Sequence, residues 1–204
     1  HPFGTDQLGR DVLSRLVYGI RATVFLSLLT MAITSALGAC VGLVSGFFRN
    51  RIDDVLMRIC DVMMSFPSEV MILAIVGMTG PGLENVVIAN VVAKWPWYAR
   101  MVRSIVRQYS DKDYIRFAKV AGGSSIRIMM RHLLPGTAGE LFVLTTLDTG
   151  SVILMISALS FLGLGVQPPT PEWGMMLNEA KEVMTLYPLQ MIPAGMAILL
   201  VVAA

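Results

Sequence analysis

The sequence predicts an all-α integral membrane protein, and three observations carry that prediction. Hydrophobic residues make up 55% of the 204 positions, charged residues 15%, and the mean hydropathy is +0.68, which is too apolar for a water-soluble domain of this length. The apolar residues gather into runs of the roughly 20 residues that a helix needs to cross a hydrocarbon core of about 30 Å. The charges collect between those runs, as expected where a backbone inside lipid must satisfy its own hydrogen bonds. The same composition excludes a disordered chain and a charge-rich coiled coil. With Cys40 and Cys60 as the two cysteines, it also excludes a disulfide scaffold. A net charge of +2 gives no reason to expect a nucleic-acid partner.

Taken in order, the expected spans cover about 22–48, 52–78, 83–108, 138–164 and 188–204, with an external segment at 1–21. Ala22 to Phe48 carries no charge, and its Gly38, Gly42 and Gly46 form a small-residue ridge that should face another helix. The second span opens among Asp53, Asp54, Arg58 and Asp61, so its start should protrude into water, and Pro67 interrupts it. Gly80-Pro81-Gly82 turns the chain into the third span, which runs into Arg100, Arg103 and Arg107 beside Trp95, Trp97 and Tyr98, the pattern of an interfacial belt. The fourth span is apolar apart from Glu140 near its start and Asp148 about ten residues in, and the fifth is still apolar at Ala204.

Charge by loop gives the direction. Arg100 to Arg131 holds eight Lys or Arg against Asp111 and Asp113, whereas Gly165 to Tyr187 holds Lys181 against Glu172, Glu179 and Glu182. The positive-inside rule then places the first segment in the cytoplasm and the second outside. An external start ahead of five spans leads to the expectation of a further helix before His1, and of a last helix that continues past Ala204.

Asp113 to Pro135 has the periodicity of two short helices. Tyr114, Phe117, Ala118 and Ala121 recur at i, i+3, i+4 and i+7, with Arg116 and Lys119 pointing elsewhere. Gly122-Gly123 should break the first helix, Ser124 or Ser125 should cap a second carrying Ile126, Met129, Met130 and Leu133, and Pro135 should stop it. Periodicity allows two uses: a hairpin lying on lipid, or a helix seated in a groove of a soluble partner.

The stretch from Tyr114 to Gly122, continuing to Leu134-Pro135, resembles the loop of binding-protein-dependent ABC importer permeases. That family's motif is Glu-Ala-Ala, three residues, Gly, then Leu-Pro. Ala118, Gly122 and Leu134-Pro135 match it, while Arg116 stands for the Glu and Phe117 for the first Ala. His1-Pro2-Phe3-Gly4-Thr5-Asp6 with Gly9-Arg10-Asp11 is similar to the second permease of the peptide and nickel importers. So is Ser160 to Gly165 with Pro168-Pro169-Thr170 and Trp173-Gly174. The resemblance covers essentially the whole chain. It implies a type I permease fold, of which five of six transmembrane helices and a cytoplasmic coupling helix lie in this sequence, in the cytoplasmic membrane of a bacterium or archaeon. It also implies a homologous partner permease, two ATP-binding subunits that carry the ATP and Mg, and an extracytoplasmic solute-binding protein. Tyr114, Arg116, Phe117, Ala118, Lys119, Ala121, Gly122, Leu134 and Pro135 become the surface coupled to the ATPase. Trp95 to Ser104, Thr146 to Gly150, and Glu172-Trp173-Gly174 with Pro188 to Met191 are most similar to nickel-type permeases, although dipeptide permeases share the framework. Nickel, or a nickel or cobalt chelate, is therefore the expected solute.

The histidines, His1 and His132, lie outside the spans and the cysteines are far apart. A bare-ion site is not expected, whereas a chelate would bring its own nitrogen and oxygen ligands. Carboxylates and amines at membrane depth are costly, so Asp148, Lys94, Glu69 and Asp61 are candidates to line a pathway, against the plainer reading of helix contacts or snorkelling. Asp148-Thr149-Gly150 spells an aspartic-protease triplet, but no second copy occurs and its surroundings read as a membrane helix. No Gly-Lys dipeptide is present, so the chain holds no P-loop and the energy must come from another subunit. No catalytic residue and no cofactor of its own are expected. The external stretch with Pro168, Pro169, Trp173 and Gly174 is the expected gate or seat for the binding protein, or a stiff connector on the membrane surface.

Overall fold

A computed structural model describes residues 1–203. Helix α1 is Val12–Phe48. It starts before the uncharged run because Asp11 caps it, accepting the Ser14 backbone N–H at 2.8 Å. Its ladder widens to π-helical geometry over Arg21–Phe25. The second apolar run is broken into α2, Arg51–Met64, and α3, Ser68–Thr79, with Pro67 between them. Then come α4, Leu83–Ser110, and α5, Asp113–Val120. Helix α6 is Ser125–Phe161, α7 is Trp173–Lys181 and α8 is Pro188–Ala203. By length and composition, α1 and α6 can each cross a bilayer, and α2 with α3 can make one broken span.

Two expectations are corrected. Pro135 does not stop a helix, because α6 runs through it to Phe161. A proline lacks an N–H and its ring presses on the carbonyl one turn back. The π-helical turn Met129–Leu133 directly before it loosens the ladder there and accommodates both defects. The external loop also holds a helix, α7. Trp173, Met176, Leu177 and Ala180 fall at i, i+3, i+4 and i+7, and Glu172 caps the helix by accepting the Met175 N–H at 2.9 Å.

The chain divides into two compact units. One comprises His1–Met31, Glu69–Asn90 and the chain from Leu147 onward; the other comprises Ala32–Ser68 and Val91–Thr146. In the second unit the glycine ridge of α1 meets α4, as its spacing suggested. A Cβ on Gly42 would stand 2.6 Å from the Ala99 carbonyl oxygen, and one on Gly46 would stand 2.8 Å from the Val106 Cβ. Below that contact, Leu43 of α1, Val102 and Val106 of α4, Ile115 of α5 and Ile128 and Leu133 of α6 form one apolar core. In the first unit, Val12 of α1 packs with Trp173 and Met176 of α7 and with Ala194 and Ile198 of α8.

Candidate functional site

The hairpin of α5 and the start of α6 is fastened from beneath. Ile115 is 0% exposed and Ala118 is half-buried against the core. The reversal after α5 uses Gly122 at φ +79°. Its N–H donates to the Lys119 carbonyl at 3.1 Å while the Gly123 N–H donates to that of Ala118 at 3.0 Å. This is a Schellman closure that needs a left-handed residue. Ser124 caps the start of α6 by accepting the Arg127 N–H at 3.4 Å.

The opposite face is open. Phe117 is 74% and Val120 86% exposed, flanked by exposed Tyr114, Ala121, Ile126 and Met130. Ala118, grouped in the sequence with Phe117, instead faces inward with Ile115. Apolar residues occupy both sides of α5, so periodicity could not tell which side was covered. Arg116 is exposed, and the Lys119 ammonium stands 4.8 Å over the Phe47 ring. Leu134 packs on the core and Pro135 is exposed. At the root of the hairpin, the Arg49 guanidinium bonds Asp111 at 3.0 Å and holds its carboxyl below the usual carboxylate range.

Beside this hairpin lies a group that sequence reasoning passed over. Asp53, on the first turn of α2, is 2% exposed. Its carboxylate accepts Arg103 Nε at 2.5 Å and Arg103 Nη2 at 2.7 Å, as well as Arg107 Nη2 and the Ser45 hydroxyl. The available signal was the i, i+4 spacing of Arg103 and Arg107, which puts two cations on one face of α4.

In the other unit, the segment ahead of α1 folds onto α7. Asp6 accepts the backbone N–H groups of Leu8 at 3.0 Å and Arg10 at 2.9 Å, together with Arg10 Nε and Arg15 Nη1, both at 2.6 Å. Arg10 and Arg15 also bind Glu179 of α7. Glu172 is fully buried, taking the hydroxyls of Thr23 at 3.0 Å and Ser157 at 3.1 Å. Trp173 is 3% exposed and its Nε1 donates to the Leu16 carbonyl at 2.9 Å, while a Cβ on Gly174 would run into the Ser157 backbone. Trp173 and Gly174 therefore offer no surface to a docking protein, which corrects their expected role as contacts. They fix α7 in place, and Pro168 and Pro169 are exposed.

The polar candidates within the spans are divided between the two units. In one unit Asp61 pairs with Arg100, and Lys94 is half-buried on α4. In the other, Asp148 accepts the Ser151 hydroxyl and Glu69 is exposed on the first turn of α3.

Residues 38–204 match the family described as binding-protein-dependent transport system inner membrane component. The chain belongs to that family. This permease is 42% identical over 204 residues to the metal-staphylopine import system permease protein CntC of Staphylococcus aureus (strain NCTC 8325 / PS 47), covering 100% of this chain and 71% of the relative. It is 38% identical over 204 residues to the nickel transport system permease protein NikC of Escherichia coli (strain K12), covering 100% and 74%. It is 44% identical over 179 residues to the di/tripeptide transport system permease protein DppC of Pseudomonas aeruginosa (strain UCBPP-PA14), covering 88% and 59%. The permease is thus a membrane-embedded transport subunit of the peptide and nickel importer group.

Proposed function

We propose that this permease forms half of the pathway of an ATP-driven importer that carries nickel, or a nickel or cobalt chelate, across the cytoplasmic membrane. A homologous permease supplies the other half, two partner subunits bind ATP and Mg, and an extracytoplasmic binding protein delivers the solute. The observation that carries the reading is the whole-chain identity of 42% to a permease named for a metal chelate. Among the described residues, no three His, Cys, Asp or Glu side chains converge as a metal site. A solute whose metal arrives already ligated needs no such cluster.

In this reading Tyr114, Phe117, Val120, Ala121 and Gly122 form the outward face of the coupling helix, and the ATPase groove closes over it. Ile115, Ala118, Leu134 and the core beneath turn the docked helix into a rigid extension of α4 and α6. Arg116 and Lys119 flank the seat, and Pro135 marks its upper edge. Asp148, Lys94, Glu69 and Asp61 line the pathway or border it, and Pro168 and Pro169 meet the binding protein. Within the helices described above, the membrane-embedded stretches proposed are about 22–48, 52–78, 83–108, 138–164 and 188–204, with 1–21 external and 113–135 as the coupling segment. Peptide import is the second reading, favoured by the 44% identity to a di/tripeptide permease over 88% of the chain.

The importer, reconstituted with its binding protein, decides between them. ATP turnover should rise with a nickel or cobalt chelate and stay at the unstimulated level with dipeptides. Stimulation by dipeptides alone would overturn the metal reading.

A further inference from the structure

Asp53 has no part in docking, yet it is among the most heavily bonded carboxylates of its unit. Its partners come from two helices: Ser45 from α1, and Arg103 and Arg107 from α4. The same turns of α4 carry Val102 and Val106, which pack against Ile115, Ile128 and Leu133 of the coupling hairpin. One stretch of α4 therefore grips the hairpin with its apolar side and α2 with its cationic side. A carboxylate this buried is held in place by its charge partners, and removing it would leave two arginines facing each other without an anion. The apolar cluster between α2 and α4, Met57, Cys60 and Ala99 with Leu56 and Trp95 packed against it, lies on the turns of α4 before Arg103. At Arg103 and Arg107 themselves, the turns nearest the hairpin, the ion pairs to Asp53 join the two helices.

From this arrangement we infer that Asp53 is a positioning residue of the transport cycle: the arginine clamp on its carboxylate passes displacement of the coupling hairpin, received by α4, on to α2. The inference rests on the coupling reading above. A clamp of this kind transmits motion only while both partners stay charged, because a bidentate guanidinium fixes direction as well as distance.

The test uses the complete importer in proteoliposomes, with transport and ATP hydrolysis measured on the same preparation. In Asp53→Asn the ATPase subunits should still co-purify and hydrolyse ATP, while solute moved per ATP falls about tenfold or more, the size of an ordinary coupling free energy. Asp53→Glu, which keeps the charge, should recover part of the ratio. Ser45→Ala, which removes one neutral donor, should lower the ratio by about threefold with assembly intact, and it serves if Asp53→Asn does not insert. An unchanged ratio in the variants that assemble overturns the inference, and so does a loss of ATPase binding matched to the loss of transport, since that marks a merely structural role. Phe117→Asp, run alongside, should abolish ATPase capture. If it does not, the coupling reading fails irrespective of the result at Asp53.

Discussion

Asp6 is held ionised from several sides. Burial works against its charge, but the Arg10 backbone N–H, the Arg10 and Arg15 guanidinium groups and the Leu8 N–H outweigh that and keep its carboxyl below the ordinary value. A carboxyl lowered in the folded form contributes stability above its unfolded value and loses it as pH falls through the folded one. The segment ahead of α1 should therefore stay latched to α7 at neutral pH and loosen only below the usual carboxylate range. Amide exchange of residues 4–12 followed across that range should show the acid-dependent opening. Asp6→Asn should be open at neutral pH and lack the acid step. Asp6 belonged to a motif the sequence made visible, but its role did not show, because Arg15 and Glu179 reach it only through folding. Glu172 was hidden in the same way: in the sequence it counts as a loop charge, and in the structure it is a buried acceptor for two hydroxyls.

The contact between α1 and α4 depends on the absence of side chains. The ridge at Gly38, Gly42 and Gly46 could be read in advance because small residues repeated at one helical spacing have few other uses in a membrane. Gly42→Leu must push into the Ala99 backbone and should destabilise the folded protein by about 1–3 kcal/mol, the usual cost of overpacking. Denaturation in mixed detergent micelles measures this. Gly77→Leu, at a position with open space around it, should leave the midpoint where it was. Helix α7 and the passage of α6 through Pro135 were less legible. The proline-rich stretch before Trp173 suggested a connector, and nothing in the order of residues announces that a π-helical turn will absorb a proline. The inner and outer faces of α5 were likewise ambiguous until Ile115 was seen to be the covered residue.

At the scale of the whole molecule, direction in the membrane is the property on which the importer reading depends. The basic balance of 100–131 against the acidic balance of 165–187 is a sequence property, and it predicts that the hairpin faces the cytoplasm. With Cys40 and Cys60 replaced by alanine, Ser124→Cys should resist a membrane-impermeant thiol reagent in intact cells and react once the membrane is opened. Thr170→Cys should react in intact cells. The reverse pattern would place the hairpin outside and remove it from any ATPase.

The length of α6 adds a consequence of its own. Its 37 residues make a rod of about 55 Å at the usual rise per residue, against a hydrocarbon layer of about 30 Å. A helix that ended at Pro135 would have left the hairpin to find its height through a flexible joint. With α6 continuing through Pro135, the coupling proposal expects the stand-off of Phe117 and Val120 from the lipid headgroups to follow the number of residues in one helix.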